Sequence, residues 1–317
     1  YAFNAPKQSI EGRRVTVRAA RDAAGKVIVS RLDGSYSLVR FEGLVIPEAV
    51  RIRNGRWVQF VRCTFAPTAK ESFWGMSFQD CDHCGLYGCV VKTLSTSQVN
   101  MSNVLNAEYR FNEIANGNSD AFQGGGDGIL IEGNWVHDMH PGPKAHPDGI
   151  QLFNTKNLTV RGNVFDTWNT QTFFFSWTTK ETTYENFIVE NNVCTTAQYH
   201  GLTTHPSSDM VIRNNLFICD PQHKSGVESI DLKNMQGKLT VQNNLFWQLS
   251  VVPCANDTIS HNIYMQKHWR DGLPGAAAVL SSPEACFTDR AARDYRLRPG
   301  SPAIGAAQPG TVPAMDV

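Results

Sequence analysis

LTVRGNVF (residues 158–165) alternates apolar and polar side chains, turns at Gly-Asn and ends on an apolar pair. The same order recurs in ILIEGNWV (129–136), FIVENNVC (187–194), MVIRNNLF (210–217) and LTVQNNLF (239–246). Alternation with a period of two marks a strand that buries one face. The second corner residue is Asn134, Asn163, Asn192, Asn215 or Asn244, with weaker copies at Asn112 (YRFNEI) and Asn262 (TISHNIY). Successive asparagines are 18 to 29 residues apart. A strand and corner repeated at that interval imply one coil of a solenoid per repeat. Asparagine tolerates the left-handed backbone of a tight corner, and stacked asparagines bond to one another along the axis.

VRIRNGRWVQFVRCTF (50–65) and FQDCDHCGLYGCVV (78–91) continue the pattern less regularly. The expectation is an all-β chain, a right-handed parallel β-helix of roughly nine or ten coils spaced about 4.8 Å apart. Residues 1–317 are read as one domain, with regular coils over about 50–265 and a closing segment over 266–317.

The 29 Lys and Arg balance the 29 Asp and Glu, so no global field draws nucleic acid or an anionic membrane. No apolar run approaches the roughly 18 residues of a membrane span. The chain begins at Tyr1, which fits a leader removed from a secreted or periplasmic protein. Cys81-Asp-His-Cys84 has zinc-ligand spacing, but no second such pair follows, and buried small residues or a local disulfide explain it better than zinc.

HPDGIQLFN (146–154) opens a strand with titratable groups where a turn would supply Gly, Asn or Ser. Measured from the corner asparagines, Asp148 lies 15 residues before Asn163, and His200 lies 15 before Asn215. Asp120 and Glu228 fall in the same column within one residue, and Ser176 or Trp177 fills the coil between Asp148 and His200. The following residues agree: Asp-Ala-Phe-Gln, Asp-Gly-Ile-Gln, His-Gly-Leu-Thr and Glu-Ser-Ile-Asp. Lys144 and Lys224 precede their column members by four residues, and His146 precedes Asp148 by two. Carboxylates stacked about 5 Å apart repel unless cations or shared protons intervene, so this stripe points to a groove with chemistry. The bland alternative is a solvated polar ladder. Phe173 to Phe175 of TFFFSW are read as core.

A long groove on a solenoid suits a polymer. Carboxylates, histidines, lysines and aromatics together suit an acidic polysaccharide cut by β-elimination. That reaction needs a neutralised uronate carboxylate, a base for the C5 proton and an acid for the leaving oxygen. His146, His200 and Lys224 are the candidate bases, and Tyr199 or a histidine is the candidate acid. Asp148 would orient a histidine or hold a cation. Asp120, Lys144, Gln151, Trp177, Lys180, His205, Glu228 and Lys233 are candidate substrate contacts. A divalent cation such as calcium between Asp120 and Asp148 is the one cofactor considered. The expected partner is the polysaccharide alone, without nucleic acid or membrane, bound by a monomer.

The HPDGIQ element, the Gly-Asn and Asn-Asn corners and the ending DYRLRPGSPAIGAA (294–307) resemble those of secreted bacterial β-helix polysaccharide lyases. Among these, the alginate lyases of polysaccharide lyase family thirty-one are similar in size and style. The resemblance implies lyase action on alginate or a related exopolysaccharide; it places no base or acid. Polygalacturonase-like hydrolases are the first rival, echoed by NSD (118–120), HPD (146–148) and YHG (199–201). Mannuronan C5-epimerases and a non-catalytic glycan-binding adhesin are the others.

Overall fold

The computed structural model describes residues 14–23, 25–66, 72–92, 95–140, 147–167, 170–175, 184–196, 200–204, 207–219, 229–232, 235–252, 255–265, 275–280 and 283–308. They form a parallel β-helix. Among them the helical segments are two single 3-10 turns, Arg21–Ala23 and Pro283–Ala285. No helix among the described residues is long and apolar enough to cross a membrane.

Three parallel ladders run along the solenoid. The first stacks Val50–Arg53, Ser72–Gln79, Ser95–Leu105, Asp120–Glu132, Asp148–Leu152, Gln171–Phe175, His200–Thr204 and Ser229–Leu232. The second carries the repeated strands, among them Thr155–Arg161, Tyr184–Glu190 and Ser207–Arg213. The third is an 11-stranded sheet from Val45–Ile46 to Ala276–Val279. Among the described residues this sheet has eleven rungs, against the roughly nine or ten coils expected. Parallel pairing begins at Val15–Arg18, well before residue 50, and the Ala276–Val279 strand extends it past residue 265. The early strands escape the repeat pattern because their corners lack asparagine.

The corner explains the repeat. Asn163 shows the rule: its Oδ1 accepts from the N–H (2.8 Å) and the Nδ2 (2.9 Å) of Asn134. Its own Nδ2 donates to the Ile131 carbonyl (2.9 Å) and to Asn192 Oδ1 (3.0 Å). The ladder runs unbroken through Asn112, Asn134, Asn163, Asn192, Asn215, Asn244 and Asn262. These side chains are buried, and each satisfies backbone groups that the corner would otherwise orphan. The left-handed residue is the one before the stacked asparagine: Gly133, Gly162, Asn191, Asn214, Asn243 and His261 all have φ between 54° and 63°. Asn is therefore chosen at the second position for its amide and not for its backbone freedom.

Cysteine replaces asparagine at the N-terminal end of this column. Cys89 donates its backbone N–H to Asn112 Oδ1 (2.9 Å), and Val90 N–H donates to the Cys63 carbonyl (2.9 Å). Cys63, Cys81, Cys84 and Cys89 are all buried, as small apolar side chains in the core.

Apolar side chains fill the solenoid. Phe41 stacks on Phe60 at 5.0 Å, and Phe165 meets Phe173 edge-on at 5.1 Å. Phe173 and Phe175 are core, whereas Phe174 between them is only half-buried and sits on the outer face. Strand parity makes that correction, because three consecutive strand residues cannot all point inward. The C-terminal segment carries an antiparallel pair, Phe287–Asp289 with Asp294–Leu297. Arg293 pairs with Asp166 and fastens it to the solenoid, and Gln308 donates its N–H to Asn243 (3.0 Å).

Candidate functional site

On the first ladder each coil enters its strand at a bend. Ala121 and Phe122 are consecutive, and both are buried in the core. An alanine Cβ at Gly149, the equivalent of Ala121, would sit 2.9 Å from the Phe165 ring. Two consecutive inward residues force the residue before them, and the one after them, to the outer side. Two outer columns follow from the register.

The first outer column is Trp74, Ser97, Asp120, Asp148, Gln171, His200 and Ser229. Ser97 pairs with both Trp74 and Asp120, Asp148 pairs with Gln171, and His200 pairs with Ser229. Phe122 pairs with Ile150 and Phe173 with Leu202, so counting back two residues sets Asp120 beside Asp148 and Gln171 beside His200. The second column is Asp33, Arg51, Ser77, Asn100, Gln123, Gln151, Phe174, Thr203 and Asp231.

Asp120, Asp148 and His200 thus share one strand edge. The expected member between them, Ser176 or Trp177, is corrected to Gln171. The additional residues of that coil lie after Gln171–Phe175 and before Tyr184–Glu190, whereas counting back from Asn192 placed them before the strand. Ser229 replaces Glu228 opposite His200. His146, Lys144, Tyr199, Trp177, Lys180, His205, Lys224, Glu228 and Lys233 lie outside the described residues, as does the side chain of His200.

The centre of the site is the Asp120–Asp148 pair. Both side chains are almost fully buried, at 2% and 1% exposure. The Asp148 N–H donates to Asp120 Oδ1 (2.9 Å), and Gln123 Nε2 donates to Asp120 Oδ2 (2.7 Å). Gln123 also donates to Gln151 Oε1 (2.9 Å) and accepts from Ser97 Oγ at its own Oε1 (2.8 Å). Neither carboxyl oxygen of Asp148 has a hydrogen-bond partner. A buried acceptor without a donor is costly, and the neutral acid is the cheaper form. Burial first, then the adjacent Asp120 charge, pushes the Asp148 carboxyl well above the usual carboxylate range. Burial lifts Asp120 to about 7, against the opposing effect of its three hydrogen bonds. Two neighbouring acids that both resist ionisation can hold a proton near neutral pH for a reacting group.

These groups do not suit calcium, which needs six to eight oxygen ligands. Asp120 has both oxygens turned to N–H donors, and burial drives both carboxyls toward the neutral form. Among the described residues no three Asp, Glu, His or Cys gather as a metal site.

A groove of about 720 Å³ lies farther along the same ladder, lined by Arg51, Arg53, Trp74, Asn100, Phe153 and Asn154 and not by Asp120 or Asp148. Gly124, Gly125 and Gly126 form part of its wall. A Cβ on Gly124 would lie 1.6 Å from the Met101 carbonyl oxygen, and one on Gly125 1.8 Å from that of Phe153. The glycines are thus demanded by the close approach of neighbouring coils, and they leave the groove unfilled. The Arg51 guanidinium lies over the Trp74 ring, 5.5 Å from its centroid. Arg53 pairs with Asp33 (2.8 Å). None of the sequence-predicted contacts includes these basic residues. The signal was present in VRIR (50–53), where Val50 and Ile52 are buried and the arginines alternate outward.

The family model for a right handed beta helix region matches residues 48–192. The fold is therefore the right-handed parallel β-helix expected from the repeat. The Streptococcus pneumoniae surface protein and adhesin PfbA is similar, with a TM-score of 0.55, 10% identity and 84% of each chain covered. A second structure of PfbA, described as a surface adhesin, gives a TM-score of 0.50 at 11% identity, covering 79% of this chain and 71% of that one. The Dettilon tailspike protein gives 0.49 at 10% identity, covering 86% and 63%. Comparison with curated protein sequences finds no match. Identity near a tenth speaks to the fold alone, and none of these findings supports membership of the family thirty-one lyases.

Proposed function

We propose that this chain is an extracellular enzyme that cleaves an acidic polysaccharide, working at Asp120 and Asp148 by β-elimination next to a uronate. The observation that carries the reading is the buried Asp148 carboxyl, with both oxygens unpartnered, on the strand edge it shares with Asp120 and His200. A structural aspartate would satisfy its oxygens with N–H donors, as Asp120 does. An acid held neutral is suited to donating one strong hydrogen bond to a substrate carboxylate. That bond spreads the charge which develops as the C5 proton leaves. Gln151 joins it: its oxygen is occupied by Gln123, which leaves its amide N–H groups for a sugar.

The base is assigned to His146 or His200, which flank Asp148 in sequence and along the column, with Lys224 as the alternative. Tyr199 or the second histidine serves as acid toward the leaving oxygen. Lys144, Lys180, His205, Glu228, Lys233 and Trp177 remain proposed substrate contacts. Alginate is the first substrate to test, on the resemblance of HPDGIQ and the closing segment.

Hydrolysis is the second reading, favoured by two neighbouring carboxyls that both hold their protons above the usual carboxylate range. Incubation with a panel of acidic polysaccharides separates the two. Elimination yields an unsaturated uronate, read by ultraviolet absorbance along with new reducing ends. Hydrolysis yields reducing ends alone. Binding with neither product would replace both readings with an adhesin.

A further inference from the structure

We infer that Arg51, with Arg53 and Trp74, forms an anion-recognising subsite that holds a distant acidic sugar of the same chain that reaches Asp148. The inference rests on the reading of this face as a polysaccharide groove. Arg51 follows Asp33 in the second outer column, and Ser77, Asn100, Gln123 and Gln151 continue it in register. Four coil steps at about 4.8 Å put Arg51 roughly 19 Å from the coil of Asp148. A hexose unit of a polymer advances by much the same ~5 Å as one coil, so four or five units span the distance. Between the two ends every residue of the column is uncharged and polar, which suits neutral sugar hydroxyls and leaves the charge recognition to the arginine end.

Arg51, like Arg14 over Trp57, lies against a tryptophan ring and outside any carboxylate pair among the described residues. Most of the other surface arginines sit in carboxylate pairs, such as Arg62 with Glu42, Arg161 with Glu132 and Arg213 with Glu190. Arg51 has no carboxylate within ion-pair distance among the described residues, its register neighbour Asp33 being paired with Arg31 and Arg53, and its guanidinium lies over Trp74. A guanidinium drawn over an aromatic face by its charge keeps N–H donors for a second partner. Those donors suit a two-point bond to a carboxylate. Arg53 adds positive charge while paired to Asp33, and the adjoining groove, about 720 Å³, accommodates a sugar unit. The ligand class is an oligouronate, recognised by a carboxylate four to five units from the cleavage point.

Binding of oligoalginates of two to eight units, and of their carboxyl-reduced counterparts, is measured by calorimetry on an Asp148→Asn background that suppresses turnover. Arg51→Ala and Arg51→Gln, each checked for an unchanged Tm, are expected to weaken binding of oligomers of five or more units about tenfold. Dimers, trimers and all reduced oligomers should bind as before. Unchanged affinity for long acidic oligomers overturns the subsite, as does equal loss for the reduced ones. If the parent chain binds long oligouronates through Arg51 without cutting them, the subsite stands and the cleavage reading falls. Absence of binding by any acidic oligomer overturns both.

Discussion

At the scale of single residues, Asp148 carries the largest conflict between stability and use. Its carboxyl is buried without donors beside Asp120. Both acids hold their protons more tightly folded than unfolded. Between the ordinary value of 3.8 and about 7, the native state keeps a proton on Asp120 that the unfolded chain releases. Stability from this group is therefore complete below pH 3.8 and is lost as pH rises through about 7. A shift of that size corresponds to about 4 kcal/mol. Asp148 acts in the same direction. Replacing it with asparagine removes one buried ionisation and its repulsion of Asp120. The Tm of Asp148→Asn should match the parent near pH 4.5 and exceed it at pH 8.5. Parallel Tm curves would mean that Asp148 is not held neutral.

At the scale of the element, the corner ladder separates what the sequence discloses from what it hides. Asn163 bonds to four neighbouring groups besides its own Arg161 carbonyl: two donors on Asn134, the Ile131 carbonyl and Asn192 Oδ1. Asn163→Ala orphans a buried backbone N–H and a carbonyl, and chemical denaturation should show a loss of about 2–4 kcal/mol. A loss below about 0.5 kcal/mol would mean that water replaces the ladder. This periodicity was legible because a buried amide column allows few substitutes. Asp148 and His200 were placed on one edge by the same ruler, since no additional residues separate their strands from the next corner. Gln171 was missed because residues 176–183 intervene between the first and second ladders, and a count along the chain does not reveal which side of a strand lengthens. Arg51 and Trp74 were missed because their corners carry no asparagine from which to count.

At the scale of the whole molecule, the solenoid turns one-dimensional sequence repeats into a two-dimensional outer face. Among the described residues, eleven rungs provide a surface long enough for a polymer, with an arginine over a tryptophan ring near one end and a pair of reluctant acids nearer the middle. The glycine run at 124–126 keeps that face open because neighbouring coils come too close for any Cβ. The central claim is that polysaccharide cleavage occurs at Asp120 and Asp148, and the most direct test compares the initial rate of unsaturated-uronate formation by the parent and by Asp148→Asn on the best acidic polysaccharide. The account predicts a fall of about 100-fold or more, with the Tm unchanged or raised. A variant that keeps its rate within a few-fold of the parent would contradict it.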